Sequence, residues 1–100
     1  MKQKIISSAK KKILFLPHAI KQMSRPDRMI STEEIRDAVL NGQIIEEYPN
    51  DDRGESCLVF NLKEQRVIHV VCSPKTEYLA IITAYIPSPD QWSSDLKMRR

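Results

Sequence analysis

The feature that most constrains this chain is a series of four short apolar runs in its second half, between Gly42 and Trp92. Clusters of residues that favour turns separate these runs, as expected for strands joined by short connections. The predicted strands are Gln43–Tyr48, Ser56–Leu62, Arg66–Cys72 and Tyr78–Ile86. A parallel crossover needs about a dozen residues or more. We therefore expect all four strands to be antiparallel neighbours.

Two helices are predicted before the strands. Pro17 suits the first turn of a short helix that ends before Pro26. Ser31 and Glu34 form a capping box that begins the second helix, and Gly42 is expected to end that helix in a left-handed conformation. A meander sheet must be covered on one face. The sequence therefore predicts an α+β fold, with two N-terminal helices packed on a four-stranded antiparallel meander sheet.

Length and composition indicate a single domain over residues 1–100. The chain has 100 residues, of which 41% are hydrophobic, and residues 1–12 form a basic N-terminus that could fray. Its longest apolar runs are far shorter than the ~20 residues of a membrane span, and no signal-peptide apolar region follows the basic start. We therefore expect a cytoplasmic protein without a membrane partner. Trp92, after two prolines, is expected to fold back as a plug.

Cysteine and glycine usage argues against a metal or a cofactor. Cys57 and Cys72 each lie in an apolar run, so buried free thiols are favoured over a disulfide. The chain has no Cys-x-x-Cys or His-x-x-x-His pair, so no metal site is predicted. With two glycines in the whole chain, a loop that cradles a nucleotide is nearly excluded, and no cofactor is expected.

Basic residues concentrate at the two ends of the chain, which has a net charge of +3. If the ends meet in space, they would form one basic patch able to hold phosphates. The alternative is two solvated tails. The candidate nucleic-acid-binding residues are Arg28, Lys10, Lys11, Lys12, Lys97 and Arg99.

Several segments together resemble the bacterial family known as domain of unknown function 4258. The matching segments are Pro17-His18-Ala19 with Gln22-Met23, Arg28-Met29-Ile30 before Glu33-Glu34-Ile35, Gly42 to Pro49, Ser56-Cys57-Leu58, Arg66 with His69-Val70-Val71, and Ile82-Thr83-Ala84-Tyr85 leading to Pro87 and Trp92. The resemblance implies a fold similar to RelE and BrnT type toxins, which are small basic ribonucleases neutralised by a partner antitoxin. RNA and an antitoxin protein are thus the implied partners.

Two histidines are candidate catalytic groups. His69 interrupts a run of valines, and the register of its strand against the last strand decides its face. It lies either beside Thr83 and Tyr85 or, as we favour, in the core beside Ile82. His18 begins the first helix, where the helix dipole would keep its imidazole neutral, although the favoured role is to cap the helix or to bridge it to the sheet.

Two hypotheses of function follow. In a metal-independent endoribonuclease, His69 or His18 would be the base, Tyr85 an acid, and Arg66 with Arg28 a phosphate clamp. For Arg28 we favour an ion pair with Asp27 or with the acids of the second helix. The alternative function is a non-catalytic module that binds protein or nucleic acid, because a toxin-like fold does not by itself transmit activity.

Overall fold

The computed structural model describes all residues from 1 to 100 and contains three helices and five strands. The helices are α1 (Lys2–Lys11), α2 (Pro17–Met23) and α3 (Thr32–Asn41). The strands are β1 (Ile13–Phe15), β2 (Gln43–Tyr48), β3 (Ser56–Lys63), β4 (Arg66–Pro74) and β5 (Leu79–Tyr85). They form one sheet in the order β1-β5-β4-β3-β2, in which β1 runs parallel to β5 and the other pairs are antiparallel.

The prediction of two helices on a four-stranded antiparallel meander is therefore wrong. The basic N-terminal segment forms α1, which buries Ile5, Ser8 and Ala9. The next three residues form β1, whose register begins with Ile13 opposite Leu79. A three-residue strand has too little periodicity to be recognised, and its partner lies near the other end of the chain. The chain between β1 and β5 is long enough for a parallel crossover. The short connections between the other strands exclude one there.

The predicted start of α3 is confirmed, but the predicted conformation at its end is wrong. The Ser31 hydroxyl accepts a hydrogen bond from the Glu34 backbone N–H at 3.1 Å, and the Glu34 carboxylate accepts one from the Ser31 N–H at 3.0 Å. This is the predicted capping box. Gly42 follows the last turn with φ −77°, however, so the predicted left-handed stop is wrong.

Gly42 is required for a different reason, which is close packing. A Cβ atom at this position would lie 2.5 Å from the carbonyl oxygen of Ala38 and 2.7 Å from that of Phe60. It would also lie 2.7 Å from Cγ1 of Val59. The end of α3 and the backbone of β3 approach each other here more closely than any side chain permits.

The sheet has two covered faces. The helix face presents Cys57, Val59, Val70 and Cys72 to the helices, in one core cluster with residues of α1 and α3. Because side chains alternate along a strand, the residues between these point to the opposite, outer face. Its main members are Leu58, Phe60, His69, Val71 and Tyr85.

The outer face is covered by the chain after β5, from residue 87 to residue 100, which we call the C-terminal segment. Trp92 is only 2% exposed and packs on His69, so the predicted plug is confirmed. None of the three helices has the length and apolarity that a membrane span requires.

We expect Gly42→Ala to lower the free energy of unfolding by about 1–3 kcal/mol, because the added methyl group must push α3 away from β3. Urea unfolding followed by circular dichroism measures the change. Arg36→Ala is the control at an exposed position of α3 and should stay within about 0.5 kcal/mol of the parent protein. Equal stabilities for the two variants would contradict the close approach.

Candidate functional site

His69 lies on the outer face, directly opposite Tyr85 in the β4–β5 register. A bulge makes this possible: Val71 pairs with Thr83 but Cys72 pairs with Ile81. The register therefore places His69 beside Tyr85 and not among the residues of the helix-face core. Its imidazole is nevertheless completely buried, because the C-terminal segment covers it.

Aromatic rings enclose the imidazole on three sides. Trp92 meets it edge to face, with ring centroids 4.5 Å apart, and Tyr85 and Phe60 lie at 5.3 and 6.1 Å. Edge-to-face packing of this kind is worth about 0.5–1.5 kcal/mol per pair beyond the burial of area. The enclosure keeps water away, and this burial lowers the pKa of His69.

Both ring nitrogens of His69 have partners within the protein. Nε2 lies 2.8 Å from the carbonyl oxygen of Leu96, and because a carbonyl only accepts, Nε2 must carry the proton. Nδ1 is then the acceptor, 3.4 Å from the Tyr85 hydroxyl, which is long for a hydrogen bond. Leu96 has a left-handed φ of 63°. The histidine thus holds a strained turn of the C-terminal segment against the sheet.

The hydrogen bond between His69 and Leu96 is one attachment of the C-terminal segment to the sheet, and Arg99 makes a second. Its Nε donates to both carboxylate oxygens of Glu46, at 2.9 and 3.2 Å, and its guanidinium lies 4.7 Å from the centre of the Trp92 ring. The Tyr48 hydroxyl also donates to Glu46. Burial and this bond raise the pKa of Tyr48 to about 12. Burial opposes ionisation of Glu46, but the hydrogen bonds from Tyr48 and Arg99 outweigh it and lower the pKa of Glu46.

A cleft of about 460 Å³ opens beside these attachments, where β5 ends and the C-terminal segment begins. Its polar lining consists of Arg28, Tyr85, Ser88, Gln91 and Arg99. Each of these side chains can donate a hydrogen bond, and no carboxylate lines the cleft. Burial raises the pKa of Tyr85, so its phenol keeps its proton at neutral pH. The lining is therefore suited to an anion.

Arg28 is the cation of the cleft that has no carboxylate partner. Its Nη1 donates to the side-chain oxygen of Gln22 at 2.9 Å. The favoured expectation that Arg28 pairs with a nearby acid is wrong, because Arg28 forms no ion pair and two of those acids have other partners. Asp27 lies 3.3 Å from Arg25, and Glu34 of α3 lies 2.8 Å from Arg66.

Three of the four predicted catalytic residues do not line the cleft, namely His69, which is buried behind Tyr85, and Arg66 and His18. Arg66 pairs with Glu34, and its Nη2 donates to the backbone carbonyl of Arg28 at 2.6 Å. Arg66 therefore anchors the loop that carries Arg28, although its own guanidinium does not line the cleft. His18 is exposed on α2 and does not line the cleft either.

The basic residues of the two chain ends lie apart. Lys10, Lys11 and Lys12 lie at the end of α1, and Lys11 donates to the carbonyl of Thr76 beyond the end of β4. Lys97 lies instead 4.9 Å above the ring of Phe60, which pairs with His69 near the start of β4. His69 and Pro74 are five residues apart in β4, about 17 Å, and α1 lies on the opposite face of the sheet from Lys97, so the two groups form no single patch.

Sequence reasoning missed Ser88, Gln91 and Glu46. Pro87 and Trp92 indicated that the chain returns to the domain, but nothing in the local pattern indicated that this turn would line a cleft beside Tyr85. Glu46 and Glu47 are neighbours in β2 and lie on opposite faces of the sheet, opposite Leu58 and Cys57 respectively. That Glu46 would meet Arg99 depends on the path of the C-terminal segment alone.

A family model described as "Domain of unknown function (DUF4258)" matches residues 15–86. The matched region includes Arg28, His69 and Tyr85 but not Trp92 or Arg99. No curated protein and no solved structure matches the chain.

The buried imidazole predicts a loss of stability in mild acid. The unfolded chain protonates His69 near its ordinary pKa of about 6.5, whereas the folded protein, with its lowered pKa, takes up this proton only at a lower pH. The free energy of unfolding should therefore fall as the pH decreases through about 6.5, and it should be highest above that value. Urea unfolding between about pH 7.5 and 5 measures this change.

The variant His69→Gln should lose less stability over this range, because its amide can donate to Leu96 without titrating. His18→Gln, at an exposed histidine, is the matched control and should keep the parent's pH dependence. Identical profiles for all three proteins would show that another group causes any acid effect.

Proposed function

Because the chain belongs to the family described as Domain of unknown function (DUF4258), whose description names no activity, we propose a function from the cleft itself. The protein binds RNA, with one backbone phosphate held between Arg28 and Arg99. The observation that carries this proposal is the polar lining of the cleft, in which every polar side chain can donate a hydrogen bond, no carboxylate is present, and one arginine has no carboxylate partner.

Guanidinium groups suit this role because their planar forks bind two phosphate oxygens at once. Ser88 and Gln91 add hydroxyl and amide groups within the same cleft. These groups can reach a ribose hydroxyl, the group by which a protein distinguishes RNA from DNA. The toxin-like fold that the family resemblance implies, if present, would favour the same choice of nucleic acid. We further propose that the protein is bacterial and cytoplasmic and that an antitoxin protein is its partner.

We expect Arg28→Ala to weaken the binding of a single-stranded RNA oligonucleotide about tenfold and to reduce the slope of log affinity against log salt by about one, because one phosphate contact is lost. Fluorescence anisotropy at several salt concentrations measures both quantities. Arg36→Ala removes an exposed arginine from α3, on the other side of the sheet, and should leave affinity and slope nearly unchanged. An equal effect of the two substitutions would exclude a specific role for the cleft.

A second candidate function, metal-independent RNA cleavage, is favoured by one contact. The Tyr85 hydroxyl lies in the cleft and also 3.4 Å from Nδ1 of the buried His69. A ribose 2′-hydroxyl could pass its proton to the phenol oxygen while the phenol passes its own proton to Nδ1. The contact must shorten for this transfer, and the low basicity of a buried imidazole works against it.

The 2′-oxygen forms a bond to phosphorus, and the bond from phosphorus to the 5′-oxygen breaks. The leaving oxygen regains the proton from His69 through Tyr85, and the two arginines hold the charge of the phosphorane. The products are a 2′,3′-cyclic phosphate and a 5′-hydroxyl. Neither His18 nor Arg66 takes part in this scheme.

If the protein cleaves RNA in this way, Tyr85→Phe should reduce the cleavage rate by a factor of about 10²–10⁴ in a buffer containing a chelator, while affinity changes only a few-fold. Tyr78→Phe, at a half-buried tyrosine outside the cleft, is the matched control. Gel analysis of a labelled oligonucleotide measures the rate and identifies the cyclic phosphate. If the parent protein binds RNA but does not cleave it, the ribonuclease activity is excluded and RNA binding remains as the function.

A further inference from the structure

A pair of thiols on the helix face has no role in the cleft. Cys57 of β3 and Cys72 of β4 are directly opposite each other in the antiparallel register, and both are fully buried. Their sulfur atoms are 4.0 Å apart and are not bonded to each other, as expected from the sequence. Opposite residues in an antiparallel pair have Cα atoms about 4.5–5.5 Å apart. This range lies within the separation that a disulfide bridges.

The surroundings of the two thiols differ, although the thiols touch. The hydrogen bond from Cys72 lowers the pKa of Cys57, with burial and the carboxylate of Glu47 acting against it and the ammonium of Lys2 acting in its favour. The same contact and burial raise the pKa of Cys72. One sulfur is therefore suited to react first as a thiolate, and the other to follow as a thiol.

Access to the pair depends on α1, which packs on β4 and carries Lys2. The helix has no side-chain cap at its N-terminus. Beyond Ile5 and Ala9 in the core, it is held by hydrogen bonds from its side chains to backbone carbonyls. These bonds join Lys2 to Gly42, Ser8 to Lys75 and Lys11 to Thr76. Local opening of this terminal helix, of the kind that folded proteins undergo without global unfolding, would expose the pair to a small oxidant.

We propose that Cys57 and Cys72 form a reversible oxidation site, at which a small hydroperoxide converts the two thiols into a disulfide between adjacent strands. The Cys57 thiolate attacks the terminal peroxide oxygen, the O–O bond breaks, and an alcohol (water, from hydrogen peroxide) leaves. The resulting sulfenic acid is attacked by the Cys72 sulfur, and its oxygen leaves as water with the proton from Cys72. The two sulfurs lose two electrons, which the peroxide gains. A dithiol reductant reverses the change by exchange.

The test is to treat the folded protein with hydrogen peroxide and to measure its intact mass and its free thiols. We expect the mass to decrease by two hydrogen atoms, with the protein remaining a monomer that an alkylating agent no longer labels after denaturation. Reduction should restore two labelled thiols. The oxidised protein should also unfold at a temperature several degrees above that of the reduced protein, because the bridge restricts the unfolded chain. These measurements need no variant.

The single variants then test the order of the two steps. Cys72→Ser should accumulate a sulfenic acid on Cys57 that dimedone traps, whereas Cys57→Ser should react more slowly. Three results with the parent protein would each overturn the proposal. They are addition of oxygen without loss of hydrogen, formation of a disulfide-linked dimer, and oxidation that requires a denaturant.

Discussion

A sheet that is apolar on both faces needs a cover on each, and in this domain the helices supply only one. The other cover is a stretch of chain without helix or strand, held by two attachments. One is the hydrogen bond between buried His69 and the Leu96 carbonyl, with Trp92 packed against the imidazole. The other is the ion pair of Arg99 with Glu46. Without these contacts, the imidazole of His69 would lose the cover that Trp92 and Leu96 provide.

The same two attachments create the candidate site. The C-terminal segment leaves the end of β5 and crosses the outer face, and the space below its first turn is the cleft that Arg28 and Tyr85 line. His69 therefore has a structural function whatever chemistry takes place in the cleft, because its Nε2 is already bonded. Any catalytic part for it would have to pass through Tyr85, the one polar side chain that contacts both the imidazole and the open space.

How well the sequence predicted the molecule depended on how local each signal was. The bounds of α2 and β2 agree with the prediction, because Pro17 and the turn after Tyr48 mark them within a few residues. For Gly42 the reasoning identified the right residue and the wrong cause, since the crowding atoms belong partly to β3. Arg28 was assigned to the wrong partner, because Asp27 pairs with Arg25 and Glu34 pairs with Arg66.

By itself, the sequence determined the α+β class, the four antiparallel strands and the capped start of α3, since periodicity and turn chemistry act over a few neighbouring residues. Only the tertiary structure decided that β1 joins β5, that His69 faces outwards and is then covered, and that the two groups of basic residues lie apart. Each of these depends on contacts between distant parts of the chain. In a sheet, a bulge of one residue is enough to reverse the face of every side chain that follows.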